Sequence, residues 1–252
     1  MNILLTNDDG IKAEGLVQLA TALEKKHKVY VSAPNGEYSG AGHSITFFNA
    51  LTYSRADYPK SIEAYSVSGT PVDCVKFGLE IIFKDVKFDL VVSGINNVLN
   101  IGTDVFYSGT VNAAIEATIC GKKAIAVSTM CKDDDYSYPT KFVADNLEKL
   151  AEFASDSVTV NVNIPSSKKE KNNGVAVAEL GLRHYNDAYE LISKSGEQIR
   201  YVLTGSPIVE VDSEKTHDVA LSDKNYITIT PLTLFTTDFG MLEKMKNEEF
   251  KF

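Results

Sequence analysis

Two aspartates stand side by side at Asp8 and Asp9, directly after a short apolar run, Ile3-Leu4-Leu5, and directly before Gly10. Adjacent carboxylates repel, and both lose water if the run before them is a buried strand, so something cationic should hold them there. Two other apolar runs end in oxygen-rich stretches, Asn35-Gly36-Glu37-Tyr38-Ser39-Gly40 and Ser93-Gly94-Ile95-Asn96-Asn97. Two carboxylates with Ser and Asn oxygens, and no His or Cys beside them, form a hard donor set suited to Mg²⁺ or Mn²⁺ rather than zinc. Such a cation takes water or phosphate in its remaining positions. The plainer reading of Asp8-Asp9-Gly10 is a cap followed by a turn. Its place at the end of the first strand favours the metal.

A second chemical stretch is Tyr107-Ser108-Gly109-Thr110 at the start of a helical pattern, where free backbone N–H groups and the helix dipole attract an anion such as phosphate. An ordinary cap explains the same residues equally well. By contrast Gly69-Thr70-Pro71-Val72-Asp73-Cys74 carries Thr as cap, Pro at the first helical position and Asp as capping-box partner, and reads as structural. His43 lies in the loop that also carries Ser39, so contact with substrate competes with loop packing as its role. His27, His184 and His217 read as surface or hinge residues. Nothing matches a nucleophile elbow, a Walker loop or a dinucleotide fingerprint, which speaks against a serine hydrolase, a Walker nucleotidase and a dehydrogenase.

The elements that must position these residues alternate. Strands are predicted at 2–6, 28–33, 88–93, 124–129 and 158–163, and helices at 14–26, 70–83, 110–121 and 140–155. That alternation predicts an α/β fold: a Rossmann-like, three-layer parallel sheet covered by helices on both faces. In such sheets ligands bind beyond the carboxyl ends of the strands, where the three oxygen-rich loops converge. Residues 45–67 predict an extra extended pair joined at Asp57-Tyr58-Pro59. From 166 the character changes to a charged loop and short strands at 175–180, 199–204 and 226–230 without an intervening helix, then a final helix at 238–248. The division expected is a core over 1–165 and a hairpin-rich C-terminal extension over 166–252.

At 252 residues the chain can bury one large core. It shows no stretch resembling a membrane span and no secretory leader, which predicts a cytoplasmic protein without a membrane partner. A net charge of −9 argues against a nucleic acid polymer as partner, since phosphate backbones call for Lys and Arg. Cys74, Cys120 and Cys131 lack paired spacing and read as reduced packing residues.

Taken together, "ILLTNDDGI" (3–11), "APNGEYSGAGHSIT" (33–46), "SVSGTPVDCV" (66–75), "DLVVSGIN" (89–96), "NIGTDVFYSGTVNAA" (100–114) and "YITITPL" (226–232) resemble the SurE family of survival-protein phosphatases. The resemblance implies a metal-dependent phosphomonoesterase acting on nucleoside 5'- and 3'-monophosphates, with exopolyphosphatase activity in some members. It implies one divalent cation per subunit, Mg²⁺ or Mn²⁺, bound by Asp8, Asp9, Ser39 and Asn96. Asp8, Asp9, Asn96 and Ser108 are then the catalytic set, and Ser39, Gly40, His43, Asn100, Asp104, Ser108, Gly109 and Thr110 the substrate and phosphate contacts. It also implies a homodimer or homotetramer joined through the C-terminal segments.

Two positions depart from the family pattern. Val98 stands where Gly is usual in "GINNVLN", which would strain the loop if that position needs a positive φ, and Asn112 replaces a small residue after "SGTV". A receiver-like signalling module also keeps an acidic pair after its first strand, but it needs a later phospho-accepting Asp where this chain has Ser-Gly-Ile-Asn. A non-catalytic nucleotide- or metal-binding module is the remaining alternative.

Overall fold

The structure, a computed structural model, describes every residue except 132, 187, 209–215 and 249–252. Parts of the extension expected over 166–252 therefore lie outside the described residues.

Six parallel strands form the centre of a nine-stranded sheet. In chain order they are β1 (Asn2–Thr6), β2 (Lys28–Pro34), β4 (Glu63–Val67), β5 (Leu90–Asn96), β6 (Ala124–Thr129) and β7 (Val158–Ile164), and in space they run β4-β2-β1-β5-β6-β7. The short β3 (Tyr53–Arg55) pairs antiparallel with β4 at one edge, so the expected extra pair over 45–67 widens the main sheet. At the other side β11 (Ile227–Thr233) runs antiparallel to β7, with β8 (Val175–Val177) parallel to it at the edge.

The inner strands are buried because helices cover both faces, and β1, β2, β5 and β6 are mostly apolar. On one face lie α1 (Glu14–Leu23) and α4 (Ser137–Phe153), whose Leu16, Leu19, Leu23, Val143 and Leu147 pack on Ile3, Leu5, Val31 and Val92. Leu16, Leu19, Ala20 and Leu23 recur at helical spacing, and full burial of each leucine contributes about 1.5–3 kcal/mol. On the other face α2 (Pro71–Phe77) and α3 (Gly109–Ile119) bring Val75, Val111 and Ala114 onto Leu4 and Val91. The capping box of α2 forms as the sequence predicts, Thr70 accepting from Asp73 N and Asp73 from Thr70 N. The expected helix over 70–83 is α2 followed by one wider turn at Gly78–Ile82.

Beyond residue 165 one expectation fails. A short helix, α5 (Asp218–Asp223), precedes β11, capped by His217 and anchored by the buried Val219 and Ala220. Six residues are too few to register as an apolar period in the sequence. The hairpin is longer than expected: β9 (Ala188–Ser195) pairs with β10 (Gln198–Thr204) as a separate two-stranded sheet. The final helix, α6, spans Phe239–Met245, capped by Asp238. Among the described residues the three cysteines are free, and no helix is long and apolar enough to cross a membrane.

Candidate active site

From β1 the chain moves outward to β2 and β4, then returns to place β5 on the other flank of β1. Successive connections therefore diverge at the carboxyl ends of β1 and β5, leaving a crevice between them. A cavity of about 1200 Å³ opens there, reaching from Asp8 and Asp9 past Asn96 and Ser108 to Arg183 and Tyr185 of the extension.

Asp8 is buried and fixed from three sides. Its backbone oxygen accepts from Tyr38 N at 2.8 Å, tying the end of β1 to the loop after β2. Its Oδ1 accepts from the hydroxyl of Thr110 in the first turn of α3. Gly109 is glycine because that turn lies against Asp8: a Cβ there would sit 2.7 Å from the Asp8 Cβ and 2.9 Å from Oδ2. The helix N-terminus that could have taken a phosphate alone thus also holds an aspartate. Burial pushes the Asp8 carboxyl upward against the pull of Thr110. Asp9 is pushed up to about 7, first by burial and then by the charges of Asp8 and Glu37. Among the described residues no Lys, Arg or His forms an ion pair with either aspartate.

Negative charge gathered in this way, without a protein counter-charge, fits a divalent cation. No three His, Cys, Asp or Glu side chains converge as a metal cage among the described residues, so the other donors are neutral oxygens, as Mg²⁺ and Mn²⁺ accept and zinc sites rarely use. Ser39 lines the cavity, its hydroxyl on Glu37 at 2.8 Å. Asn96 ends β5; its Nδ2 donates to Val98 O at 2.6 Å, leaving Oδ1 as acceptor. The end of β5 is set by Gly94, at φ +136°, which lies so close to β6 that a Cβ would meet Val127 O at 2.3 Å. The ladder to β6 shifts register there before resuming at Asn96 and Ser128.

Ser108 is the cap of α3, accepting from Val111 N at 3.0 Å, and it also lines the cavity. A capping hydroxyl keeps its proton, so Ser108 can hold the helix and donate to a phosphate oxygen at once. Gly40, Asn100 and Asp104 line the same cavity. Asn100 is bound into a buried amide cluster: its N donates to Asn163 Oδ1 at 2.8 Å, its O accepts from Asn161 and Asn163, and its Nδ2 donates to Ser128 Oγ at 2.8 Å. Asp104 Oδ2 accepts from Arg183 Nη1 at 2.7 Å and from the Tyr185 hydroxyl at 2.6 Å.

The loop carrying Asp104 is held to the extension by Asp218, whose carboxylate accepts from Gly102 N and Gly181 N at 2.9 and 2.8 Å. Burial raises that carboxyl against the downward pull of the backbone donors.

His43 sits apart from the cavity lining. Its Nδ1 lies 3.1 Å from Asn112 Oδ1 and its Nε2 2.7 Å from Glu116 Oε2 on the flank of α3, where Lys76 Nζ reaches the other Glu116 oxygen at 3.0 Å. Asn112 donates to the Val105 and Ser108 carbonyls at 2.9 and 2.8 Å, so its polar side chain ties the turn before α3 to the helix. Val98 is exposed, and it is not among the described non-glycine residues at positive φ, Asp134 and Asn225, so the loop carries valine without strain.

Sequence reasoning missed Glu37, the Asn161-x-Asn163 pair and the group Arg183, Tyr185 and Asp218. The asparagines had a legible signal: in Val-Asn-Val-Asn the polar residues share one face of a buried strand, which needs an internal polar partner. The extension residues had none, because their proximity depends on packing across some 80 residues.

The chain is similar to known proteins along nearly its whole length. The family described as Survival protein SurE matches residues 3–187. A protein named 5'-nucleotidase SurE from Petrotoga mobilis is 40% identical over 253 residues, covering 98% of each chain. One of the same name from Alkaliphilus metalliredigens is 42% identical over 252 residues, again covering 98% of each. The crystal structure of the SurE protein from Aquifex aeolicus superposes with a TM-score of 0.83 at 32% identity, covering 98% of both chains.

Proposed function

Because the chain belongs to the SurE family, we propose that its crevice hydrolyses nucleoside 5'-monophosphates to nucleoside and phosphate. The observation that carries this reading is the meeting of Asp8, Asp9, Asn96 and Ser108 in one cavity with room beyond the phosphate for a nucleoside.

The residues divide the work. Asp8, Asp9, Ser39 and Asn96 would hold one divalent cation, Mg²⁺ or Mn²⁺. That cation, when bound, offsets phosphate charge and lowers the pKa of water. Ser108, with the first N–H groups of α3, orients the phosphate and stabilises charge developing on its oxygens. Asp8 is a poor nucleophile because one oxygen is engaged by Thr110 and its backbone is pinned by Tyr38. Adjacent Asp-Asp also lacks the D-x-D spacing of enzymes that form an aspartyl-phosphate. The reaction is therefore a single displacement: a water oxygen gives up a proton and bonds to phosphorus as the P–O bond to the ribose breaks, and the ribose oxygen takes up a proton and leaves as the alcohol. Inversion at phosphorus and no acid-stable labelled protein are expected.

The finer assignments rest on the same footing. Gly40 and Gly109 supply close backbone approach to the phosphate. The unit over 166–252 serves as an oligomerisation arm, supported by the exposed Leu191, Ile192, Ile199 and Tyr201 of the β9–β10 hairpin, in a cytoplasmic homodimer or homotetramer. Phosphate release from 5'- and 3'-nucleotides and from polyphosphate, measured in EDTA and after adding Mg²⁺ or Mn²⁺, tests the whole reading. Activity should vanish in chelator and return with metal, and Asp9→Asn should cost at least ~10²-fold. Full activity in chelator, or no release from any nucleotide, ends it.

A further inference from the structure

The catalytic cavity is unequal at its two ends. One end holds the carboxylates and the α3 N-terminus; the other is walled by Arg183, His184 and Tyr185, which the chain contributes from the extension. At about 1200 Å³ it reaches the size of sites that enclose whole organic ligands, roughly 300–1,000 Å³. The extension therefore meets whatever is attached to the phosphate.

Tyr185 is fixed in that wall. Its hydroxyl donates to Asp104 Oδ2 at 2.6 Å, the Arg183 guanidinium lies 5.5 Å from its ring centroid, and its backbone forms an antiparallel bridge with Pro207. Arg183 is itself held by Asp104 at 2.7 Å and is only 15% exposed, so its charge is answered by protein. Asp104 in turn stands on the loop that Asp218 ties to Gly181. A ring held in this way loses almost no freedom when a second ring stacks on it. The guanidinium also draws electron density toward its own side, which favours an electron-rich partner. Tyr107 and Tyr189 line the cavity too, but are 70% and 72% exposed with no such hold among the described residues.

We infer that Tyr185, braced by Asp104 and Arg183, is the stacking platform for the base of the nucleotide, so that the extension reads the base while the core handles the phosphate. Asp104 then acts through Tyr185 as a positioning residue. The inference rests on the nucleotidase reading and deepens it.

The test compares adenosine 5'-monophosphate with ribose 5-phosphate, the same ester without its base, on the metal-loaded enzyme. Stacking on an aromatic side chain sets a wild-type preference for the nucleotide in kcat/KM, and Tyr185→Ala should lower that preference ~10-fold, chiefly through KM for the nucleotide. Tyr185→Phe and Tyr185→Trp keep an aromatic face but give up the hydroxyl held by Asp104, so both should fall between the wild type and Tyr185→Ala. Circular dichroism and melting of each variant confirm folding, and activity on ribose 5-phosphate serves as the internal control. Equal losses on both substrates, no loss on either, or a wild-type enzyme without preference for the nucleotide overturns the platform while leaving the phosphatase intact. No activity on either substrate overturns the nucleotidase reading instead.

Discussion

Asn163 grips Asn100 by both of its backbone polar groups, accepting from N at 2.8 Å and donating to O at 3.0 Å. The side chain thus supplies to the loop after β5 the pairing that a neighbouring strand would have supplied. A loop lining the cavity gains the fixity of the sheet without continuing it.

Asn163→Ala should leave the Asn100 N–H buried and unpaired, at a cost of about 1–3 kcal/mol. For a chain of this size that is a fall in melting temperature of roughly 2–4 °C per kcal/mol. Thermal unfolding checks the stability, and steady-state kinetics should show kcat/KM falling with it. A variant with wild-type melting and kinetics removes the supporting role.

Thr110→Val keeps the shape of the side chain and removes the hydroxyl that donates to Asp8. A residue that orients a metal ligand from outside is typically worth 10–100-fold in metal affinity. Titration with Mn²⁺ should show weakening in that range while the fold persists. Unchanged affinity would separate Thr110 from the metal site.

Glu116 supplies the pH dependence. Burial pushes its carboxyl upward, but the hydrogen bonds from His43 and Lys76 outweigh that and leave it below its ordinary value, with the Cys120 thiol 3.8 Å away. A carboxyl lowered in the folded state contributes stability that is present above its unfolded value, near 4.5, and is lost as pH falls through the folded one. Glu116→Gln should therefore destabilise by about 1–3 kcal/mol at pH 7 and by much less near pH 3. Denaturant unfolding at the two values decides it: an equal deficit at both points to packing alone.

Replacing residues 188–204 by a short turn should yield a smaller species than the full chain in sedimentation velocity. Exposed apolar side chains on both strands of that hairpin are the reason. A full-length protein that sediments as a monomer ends the arm reading.

Much of the molecule was legible before its structure. The central strands and four main helices announce themselves because a strand covered on both faces must be apolar and a helix beside it must repeat at its own period. The Thr70 capping box and the convergence of Asp8, Asp9 and Asn96 follow from rules about element ends. Illegible parts depend on distant packing. Nothing local distinguishes Thr110 as the partner of Asp8, and an isolated Tyr185 resembles any surface tyrosine. His43 shows the converse: a residue type that suggests chemistry lies against Glu116, outside the cavity lining, because the flank of α3 offered a buried carboxylate.

The central place of β1 has a consequence in time. Leu5 pairs in register with Val92, and Asp8 meets Thr110 a further 18 residues on, so the first strand made by the ribosome waits for β5 before both of its flanks are filled. At about 5–20 residues per second, the stretch from Asp8 to Thr110 takes on the order of 5–20 s to synthesise. Until β5 is made β1 has only β2 to pair with, and until Thr110 follows the two aspartates have no finished crevice around them. The site around Asp8 and Asp9 is therefore completed only well after these two residues, among the first ten made, have been synthesised.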